Sequence, residues 1–279
     1  MNLYRKNMRY RICALADSLH LYSLSPSINP PLRVLILHSV HNQEKLSSLI
    51  THLRKNWNFI TPNHFFNILD NQDNIDTPSL LITFDDGFKD NLAVIDTLEK
   101  YSISALFFVC PGLVELASSK LLFPLLIKKF FRLSSINEEM LLLNWDDLRN
   151  LQNLGHSIGH HSSFHFQLNR LSEIELSEDI NLSKSLFSKN LIYNRSFNSY
   201  SFPFGGAEHI NYSSLKLLSN NFKYIFSGIR GNINYHSKSS IIFRDSVALE
   251  DPYPLTDSLL RGNFDLYYKF RAFLLRIGL

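Results

Sequence analysis

The sequence predicts an α/β protein whose parallel strands curl into a distorted (β/α) barrel of about seven strands. The length of 279 residues suits one large barrel domain. Seven short apolar runs lack the polar alternation of half-exposed strands, which is typical of buried parallel strands. No glycine-rich dinucleotide fingerprint follows the first run, and this absence favours a barrel over an open doubly wound sheet.

The predicted strands are short runs that are mostly apolar and end at polar or turn-forming residues. They cover residues 34–40, 80–84, 105–110, 156–159, 200–204, 224–227 and 241–247. Stretches with a helical pattern of apolar residues lie between most of them. These predicted helices cover residues 44–55, 91–101, 145–154, 173–188 and 213–220. Strand followed by helix, repeated along the chain, is typical of βα units with right-handed crossovers.

Three parts of the chain are predicted. Residues 1–30 form a basic N-terminal segment, residues 31–254 form the barrel, and residues 255–279 form a basic amphipathic helix. Residues 113–140 resemble an insertion with a helix of its own. We expect the C-terminal helix to dock on the barrel, and peripheral contact with an anionic membrane is the alternative.

The composition of the chain excludes several classes of protein. With 45% hydrophobic residues the chain can bury a large core, which excludes a disordered protein. A net charge of +3 and a charged fraction of 19% give no broad surface for nucleic acid. No apolar run reaches the roughly 20 residues of a membrane span, and the apolar stretch after the basic N-terminus is interrupted by charge. We therefore expect a cytoplasmic protein or one at the membrane face, with a periplasmic or secreted location as the alternative.

Two adjacent carboxylates end the second predicted strand, which reads Leu-Ile-Thr-Phe-Asp-Asp-Gly over residues 81–87. Reactive groups of βα barrels lie where strands end. Neighbouring residues of an extended chain point to opposite sides, so Asp85 and Asp86 should have different roles. Two anions this close need a cation or hydrogen bonds to compensate them, which favours a metal site. The alternative is an ordinary Asp-Asp-Gly turn that caps a helix.

A pair of histidines follows the fourth predicted strand. His161 and His165 lie four residues apart, which on a helical turn would bring both imidazoles to one face. With Asp86 they would form a two-histidine, one-carboxylate metal site that leaves positions for water and substrate. The expected cofactor is one divalent metal ion, Zn²⁺ first, with Co²⁺, Ni²⁺, Mn²⁺ or Fe²⁺ as alternatives. His160 is the competing ligand, and two solvent-exposed histidines are the alternative.

Three motifs resemble those of a known family. Thr-Phe-Asp-Asp-Gly at 83–87, His-Ser-x-x-His at 161–165 and Ser-Phe-Pro-Phe-Gly at 201–205 are similar, in this order, to the first three motifs of the polysaccharide deacetylases. This is the NodB-homology or carbohydrate esterase family 4 group, and the resemblance covers about residues 33–250. It implies a barrel of NodB-homology type that removes acetyl groups from N-acetylated sugars with a divalent metal. An acetylated glycan would be the substrate.

The resemblance also implies a role for each motif residue. Asp86, His161 and His165 would hold the metal, while Asp85 would act as general base on a water molecule. His38 matches a Leu-x-x-His-x-Val signature found in members whose barrel is circularly permuted, where this histidine is the general acid. We therefore expect His38 to protonate the departing amine. His41 is the reserve for that role, and a histidine that merely ends a strand is the alternative.

The chain departs from the commonest pattern of the family at the third motif. Ser201 stands where an arginine is often found, so the base should be positioned from elsewhere. Arg244 resembles an arginine that pairs with the catalytic aspartate in some members and would keep Asp85 ionised. A surface ion pair of Arg244 with Asp245 or Glu250 is the alternative.

The third motif also supplies a predicted substrate-binding wall. It consists of Pro203, Phe204 and Gly205, with Phe88 and Tyr253 as further aromatic residues for stacking against sugar, although core packing explains Phe equally well. The weaker third motif leaves a second function open, a non-catalytic glycan-binding or scaffold protein. Cleavage of O-acetyl groups or of other amides is a further alternative within the hydrolases.

Overall fold

The computed structural model describes residues 31–71, 74–117, 141–235 and 241–265. The basic N-terminal segment, most of the predicted insertion and most of the predicted C-terminal amphipathic helix lie outside these ranges. Within them, none of the helices combines the length and the apolar character needed to cross a membrane.

The described part of the chain contains nine strands in one sheet. They are β1 (Leu32–Leu37), β2 (Asn58–Phe59), β3 (Ser79–Phe84), β4 (Leu106–Val109), β5 (Ser157–His160), β6 (Ser199–Ser201), β7 (Tyr224–Phe226), β8 (Ile241–Ile242) and β9 (Asp245–Ser246). Their order in space is β8-β7-β6-β5-β4-β3-β1-β9, and β2 pairs with the beginning of β3. All of these pairings are parallel.

A single short stretch of chain joins the two edges of this sheet. Ile241 in β8 lies beside β7, and Asp245 in β9 lies beside β1. The predicted strand 241–247 is therefore one run that changes its neighbour midway, with Arg244 between the two halves. The predicted curled barrel of parallel strands is confirmed. The observed sheet differs from the predicted one in two respects. The last strand is split between two neighbours, and the sheet contains β2, which is too short to leave a sequence pattern.

Eight α-helices accompany the strands in the described residues. They are α1 (Gln43–Leu53), α2 (Pro62–Asn71), α3 (Ile95–Lys100), α4 (Pro111–Leu116), α5 (Trp145–Asn153), α6 (Glu173–Asn190), α7 (Tyr212–Asn221) and α8 (Tyr253–Leu260). The five predicted helices correspond to α1, α3, α5, α6 and α7, although a 3-10 turn at Lys89–Val94 replaces the start of α3. Helices α2 and α4 were not predicted, and each begins at a proline, which suits the first position of a helix.

Capping residues determine where two of these helices begin. Asn144 accepts a hydrogen bond from the backbone of Asp147 at 2.9 Å, and the Asp147 side chain accepts one from the backbone of Asn144. Ser172 and Glu175 form the same reciprocal box at the start of α6. Because α6 follows the loop after β5, this second cap fixes one end of the segment that carries the predicted histidine ligands.

Alternate residues of the strands face two different cores. Leu80 and Ile82 of β3 belong to the cluster that packs against helices. Leu81 belongs to the cluster that contains Phe108 of β4 and Phe226 of β7, whose rings lie 4.9 Å apart across the barrel interior. Strand β3 therefore alternates between the helix layer and the interior, and the next interior positions after Leu81 are Thr83 and Asp85.

Candidate active site

A pocket of about 550 Å³ opens at the carboxyl ends of the strands, where active sites of βα barrels form. Eight of the nine predicted site residues line it: His38, Asp85, Asp86, His161, His165, Phe204, Gly205 and Arg244. The ninth, Pro203, is buried and is not part of the lining. The ends of several strands therefore bring the sequence motifs together in one cavity.

The three predicted metal ligands converge on a single point of this pocket. Nε2 of His161 lies 3.2 Å from Oδ1 of Asp86, and Nε2 of His165 lies 3.3 Å from the same oxygen. One ligand atom from each of the three side chains lies within 4.8 Å of the others, and all three residues are buried. Two imidazoles and a carboxylate in this arrangement can hold a divalent ion.

The backbone separates the two adjacent aspartates. Strand β3 ends at Phe84, and Asp86 and Gly87 then adopt left-handed conformations, with φ of 74° and 76°. Asp85 continues the interior face of β3, whereas the turn directs Asp86 towards the histidines. Asp85 and Asp86 therefore make different contacts, as predicted. The cause is the left-handed turn and not the alternation of side chains along an extended strand. A side chain at Gly87 would meet Val109 at 2.9 Å, so this position needs glycine.

The loop that carries the histidines is not helical, so the predicted helical turn was wrong. His161 follows β5 directly, and the residues up to His165 form an irregular loop. Ser162 and His165 have φ values of 61° and 58°, in the left-handed region that interrupts a helix. The loop nevertheless brings the two imidazole rings to 5.2 Å from each other.

A carbonyl group orients the His161 ring. Nδ1 of His161 lies 2.7 Å from the backbone oxygen of Ser201. Because a carbonyl oxygen only accepts, Nδ1 donates its hydrogen to Ser201, and a neutral His161 ring therefore carries its lone pair on Nε2, the nitrogen nearest Asp86. This is the tautomer that a metal ligand requires.

Electrostatics reinforces the cluster. Burial alone would raise the pKa of Asp86, but hydrogen bonds from His161 and His165 outweigh it and hold the pKa well below the usual value. Burial alone would lower the pKa of His161, but the hydrogen bond to Asp86 and the charge of Asp85 raise it. Asp86 is therefore held as an anion between two imidazoles.

Asp85 forms a buried bidentate ion pair with Arg244. The two guanidinium nitrogens of Arg244 each lie 2.7 Å from one carboxylate oxygen of Asp85. Burial raises the pKa of Asp85, but the charge of Arg244, together with the charge of His161 and the hydrogen bonds from Arg244, more than offsets this, so the pKa lies below the usual value. The alternative partners of Arg244 are occupied elsewhere, since Asp245 pairs with Arg33 and Glu250 with Lys45.

Ser201 also contacts the predicted base, a role that the sequence did not reveal. Its hydroxyl lies 3.1 Å from Oδ2 of Asp85 and 2.6 Å from the Arg244 guanidinium, and it can donate to the first while accepting from the second. The expectation that positioning comes wholly from elsewhere is therefore corrected. The serine therefore reaches the base directly, beside Arg244, which enters from the barrel closure.

These features match the comparisons with known proteins. The sequence model of the polysaccharide deacetylase family matches residues 72–221, more than half of the chain. The chain belongs to the polysaccharide deacetylase family. A search of curated protein sequences gave no significant match.

Solved structures of deacetylases share the fold. The deacetylase PplD of Streptococcus pyogenes, in complex with acetate, has a TM-score of 0.64 and 18% identity over 82% of this chain and 98% of that chain. IcaB from Ammonifex degensii has a TM-score of 0.64 and 18% identity over 83% and 97% of the two chains. A de-N-acetylase from Aggregatibacter actinomycetemcomitans has a TM-score of 0.64 and 14% identity over 82% and 99%. At these identities the likeness concerns the fold.

Within this deacetylase barrel, His38 lies at the rim of the pocket. It follows β1 immediately, is exposed, and lines the cavity. Its carbonyl oxygen accepts a hydrogen bond of 2.7 Å from Nδ2 of Asn91, in the 3-10 turn that follows the aspartate motif. His41 also lines the pocket, but its Nδ1 lies 3.2 Å from Oδ2 of Asp90. The first strand thus brings two histidines to the pocket, and His41 is already paired with a carboxylate.

Most of the residues predicted to form the sugar wall line the pocket. Phe204 has a φ of 63°, and its ring lies 4.7 Å from that of His165, beside the metal ligands. Gly205 packs directly on Gly228, where an added side chain would clash at 2.6 Å. Phe88 lines the pocket, whereas Tyr253 stacks on His52 outside it, which corrects the expectation for Tyr253.

His160, the competing ligand of the family's histidine motif, points away from the pocket. It is buried, its Nδ1 lies 2.6 Å from the hydroxyl of Ser183, and its ring stacks on Phe187 at 4.1 Å. Burial lowers its pKa to about 3, so it stays neutral. It fills the layer between the barrel and α6 and is unavailable to an ion bound by Asp86.

Proposed function

We propose that the protein is a metal-dependent hydrolase that removes N-acetyl groups from an acetylated sugar of a polysaccharide, oligosaccharide or lipid-linked glycan. The observation that carries this proposal is the separation of two adjacent carboxylates within one pocket. Asp86 contacts His161 and His165, whereas Asp85 contacts Arg244. One carboxylate is thus placed to bind a cation and the other to accept a proton.

The donor set fits a divalent cation. Both histidines present Nε2 to the same oxygen of Asp86, and the carbonyl of Ser201 fixes the ligand tautomer of His161. Three buried donors of this type suit Zn²⁺ and its first-row relatives and leave coordination positions open. When bound, such an ion polarises the amide carbonyl and lowers the pKa of a bound water towards about 7.

Asp85 supplies the base in this proposal. Its carboxylate accepts the proton of the attacking water at the atoms that Arg244 holds in place. The guanidinium also keeps Asp85 ionised at neutral pH, because it offsets the effect of burial on the pKa of that carboxyl. The base is therefore both oriented and deprotonated before substrate arrives.

His38 supplies the acid. An amide nitrogen leaves poorly unless it is protonated, and histidine can donate a proton at neutral pH. His38 lines the same pocket as Asp85 and follows β1, the strand that pairs with β3, so both groups can face one acetamido group in the pocket. The rings of Phe88 and Phe204 offer apolar surfaces to the faces of a sugar.

Release of acetate tests this function. The full chain, loaded with Zn²⁺, is incubated with N-acetylglucosamine oligomers, and acetate is measured with and without a chelator. We expect chelator-sensitive release, and an O-acetylated sugar in a parallel assay separates amide from ester cleavage. Absence of release from all acetylated glycans by protein that holds metal would favour the non-catalytic glycan-binding alternative.

Replacement of His38 tests the acid. We expect His38→Ala to lower kcat by about 10²–10⁴-fold, the usual contribution of a positioned acid, and to leave metal content unchanged. The measurement is acetate release together with metal analysis of the purified variant. His41→Ala is the matched control from the same strand end, and it should lose far less. Full turnover by His38→Ala would exclude this histidine as the acid.

Replacement of Arg244 tests the electrostatic control of the base. Burial raises the pKa of Asp85, and the positive charge of Arg244 lowers it. Arg244→Met removes that charge, so the pKa of the Asp85 carboxyl should rise. Because the base works only when deprotonated, the acid limb of the kcat/KM profile should move to higher pH. Loss of one partner of a buried pair should also cost about 3–5 kcal/mol of stability.

The matched variant Arg244→Lys keeps the charge but loses the bidentate geometry, and its acid limb should move less. Denaturant unfolding of both variants accompanies the pH profiles. An acid limb that stays at the wild-type position in Arg244→Met would contradict the proposed role.

A further inference from the structure

The loop between the two histidine ligands is held in an unfavourable backbone conformation. Ser162 and His165 both have positive φ values, although neither is glycine. A residue with a side chain pays a free-energy cost in this region, so neighbouring contacts must stabilise the loop. Those contacts decide whether His161 and His165 meet at the same point before an ion arrives.

A buried carboxylate from α6 supplies such contacts. Oδ1 of Asp179 accepts a hydrogen bond from the backbone N–H of Ser163 at 2.9 Å and one from the hydroxyl of Ser162 at 3.2 Å. The hydroxyl of Ser163 in turn donates to the backbone oxygen of Asp179 at 2.8 Å. Three hydrogen bonds therefore join one residue of the helix to the two residues that follow His161.

The position of Asp179 is costly for an acidic residue. Only 5% of its surface is exposed, and its second oxygen has no hydrogen-bond partner among the described residues. A polar group buried in this way normally lowers stability. The loop requires a hydrogen-bond acceptor at this point, which explains why a polar side chain occupies the position in spite of that cost.

We infer that Asp179 is a positioning residue, which holds the loop 161–165 so that His161 and His165 present their Nε2 atoms to one cation. This inference rests on the proposed metal site. It makes α6 part of the support of that site, although no residue of α6 is predicted to touch the ion. The amide of Ser163 and the hydroxyl of Ser162 need an acceptor, and the negative charge of Asp179 is not required for the role.

Two variants separate the contribution of the acceptor oxygen of Asp179 from that of its negative charge. Asp179→Asn retains an acceptor oxygen, whereas Asp179→Leu has a similar volume without one. The full chain of each is stripped of metal and titrated with Zn²⁺ in competition with a chromophoric chelator. We expect Asp179→Leu to weaken Zn²⁺ binding by about 10–100-fold, the usual effect of a lost outer hydrogen bond, and Asp179→Asn to stay close to wild type. Exchange of the Ser163 amide hydrogen in metal-free protein should be faster in Asp179→Leu.

Ser183→Ala is the matched control, because Ser183 lies on the same helix and bonds to His160, which is not a ligand. It should lower stability without weakening Zn²⁺ binding. If Asp179→Leu does not fold, Ser162→Ala removes one of the three contacts, together with the bond that the Ser162 hydroxyl accepts from the backbone of Phe166, and should still weaken binding to a smaller degree. Wild-type affinity for Zn²⁺ in Asp179→Leu would overturn the inference. If Ser162→Ala has to replace that variant, wild-type affinity in Ser162→Ala would overturn it. Equal losses of Zn²⁺ affinity in Asp179→Asn and Asp179→Leu would also overturn it. Failure of the wild-type chain to bind Zn²⁺ would instead overturn the proposed function.

Discussion

Asp85→Asn is expected to lower kcat/KM for acetate release by about 10²–10⁴-fold, because an amide cannot accept the proton that the carboxylate takes from water. Asparagine retains the size of the side chain and one acceptor for Arg244, so the pocket should keep its shape. Metal content should not change, since Asp86, His161 and His165 are left intact. Steady-state kinetics and metal analysis of the same preparation provide the measurement.

The control for this variant is Asp245→Asn, which replaces another buried, ion-paired aspartate. Asp245 is 1% exposed and its carboxylate lies 3.3 Å from the guanidinium of Arg33, outside the lining of the pocket. It should lower stability while turnover of the folded protein persists. If Asp85→Asn kept turnover comparable to that of Asp245→Asn, another group would have to be the base.

Asp86→Ala is expected to remove both metal binding and turnover. Asp86 is the only carboxylate of the cluster, and both histidines direct Nε2 at its Oδ1. A catalytic ion contributes several kcal/mol to transition-state stabilisation, so its loss should lower kcat/KM by about 10²-fold or more. Acetate release is measured with Zn²⁺ supplied in excess.

His160→Asn is the matched control, since His160 neighbours the ligand His161 in sequence but bonds to Ser183. It should keep its metal and lose only stability, through the contacts with Phe187. A His160→Asn variant that loses the ion, or an Asp86→Ala variant that retains wild-type turnover, would contradict the assignment of ligands.

The sequence predicted most of the residues that line the pocket because strand ends mark them. An apolar run that stops at Asp85 and Asp86, and another that stops before His161, place these side chains at the same end of a parallel barrel. The sequence predicted that the two aspartates have different roles, but the left-handed turn at Asp86 that separates them was not predicted. Arg244 was predicted only from its resemblance to an arginine of the family, since polar residues follow it directly and strand pattern alone does not mark it.

Other features of the site left no local signal. Ser162 and His165 adopt left-handed conformations without being glycine, and tertiary contacts rather than local preference determine them. Asp179 lies in an acidic, polar stretch of α6 that reads as a solvent-exposed face, yet it is buried against the histidine loop. Ser201 was interpreted only as the loss of an arginine, because a serine in a strand carries little information by itself. Each of these residues acts through a neighbour that is distant in sequence.

The fold, like the site, has parts that local sequence predicts and parts that depend on the whole sheet. The long apolar strands β1 and β3 and the capped helices α5 and α6 follow directly from pattern and capping chemistry. The division of residues 241–247 between two neighbours depends on how the barrel closes, which is a property of the whole sheet. That closure places Arg244 against Asp85, so the feature that was hardest to predict sets the charge of the base.

Titration of the metal-stripped chain with Zn²⁺ tests most directly whether Asp86, His161 and His165 bind one cation jointly without Asp85. We expect one equivalent of tightly bound Zn²⁺ for the wild-type chain and for Asp85→Asn, and no tight binding for Asp86→Ala. Tight binding that survives in Asp86→Ala, or that disappears in a folded Asp85→Asn, would contradict this assignment of ligands.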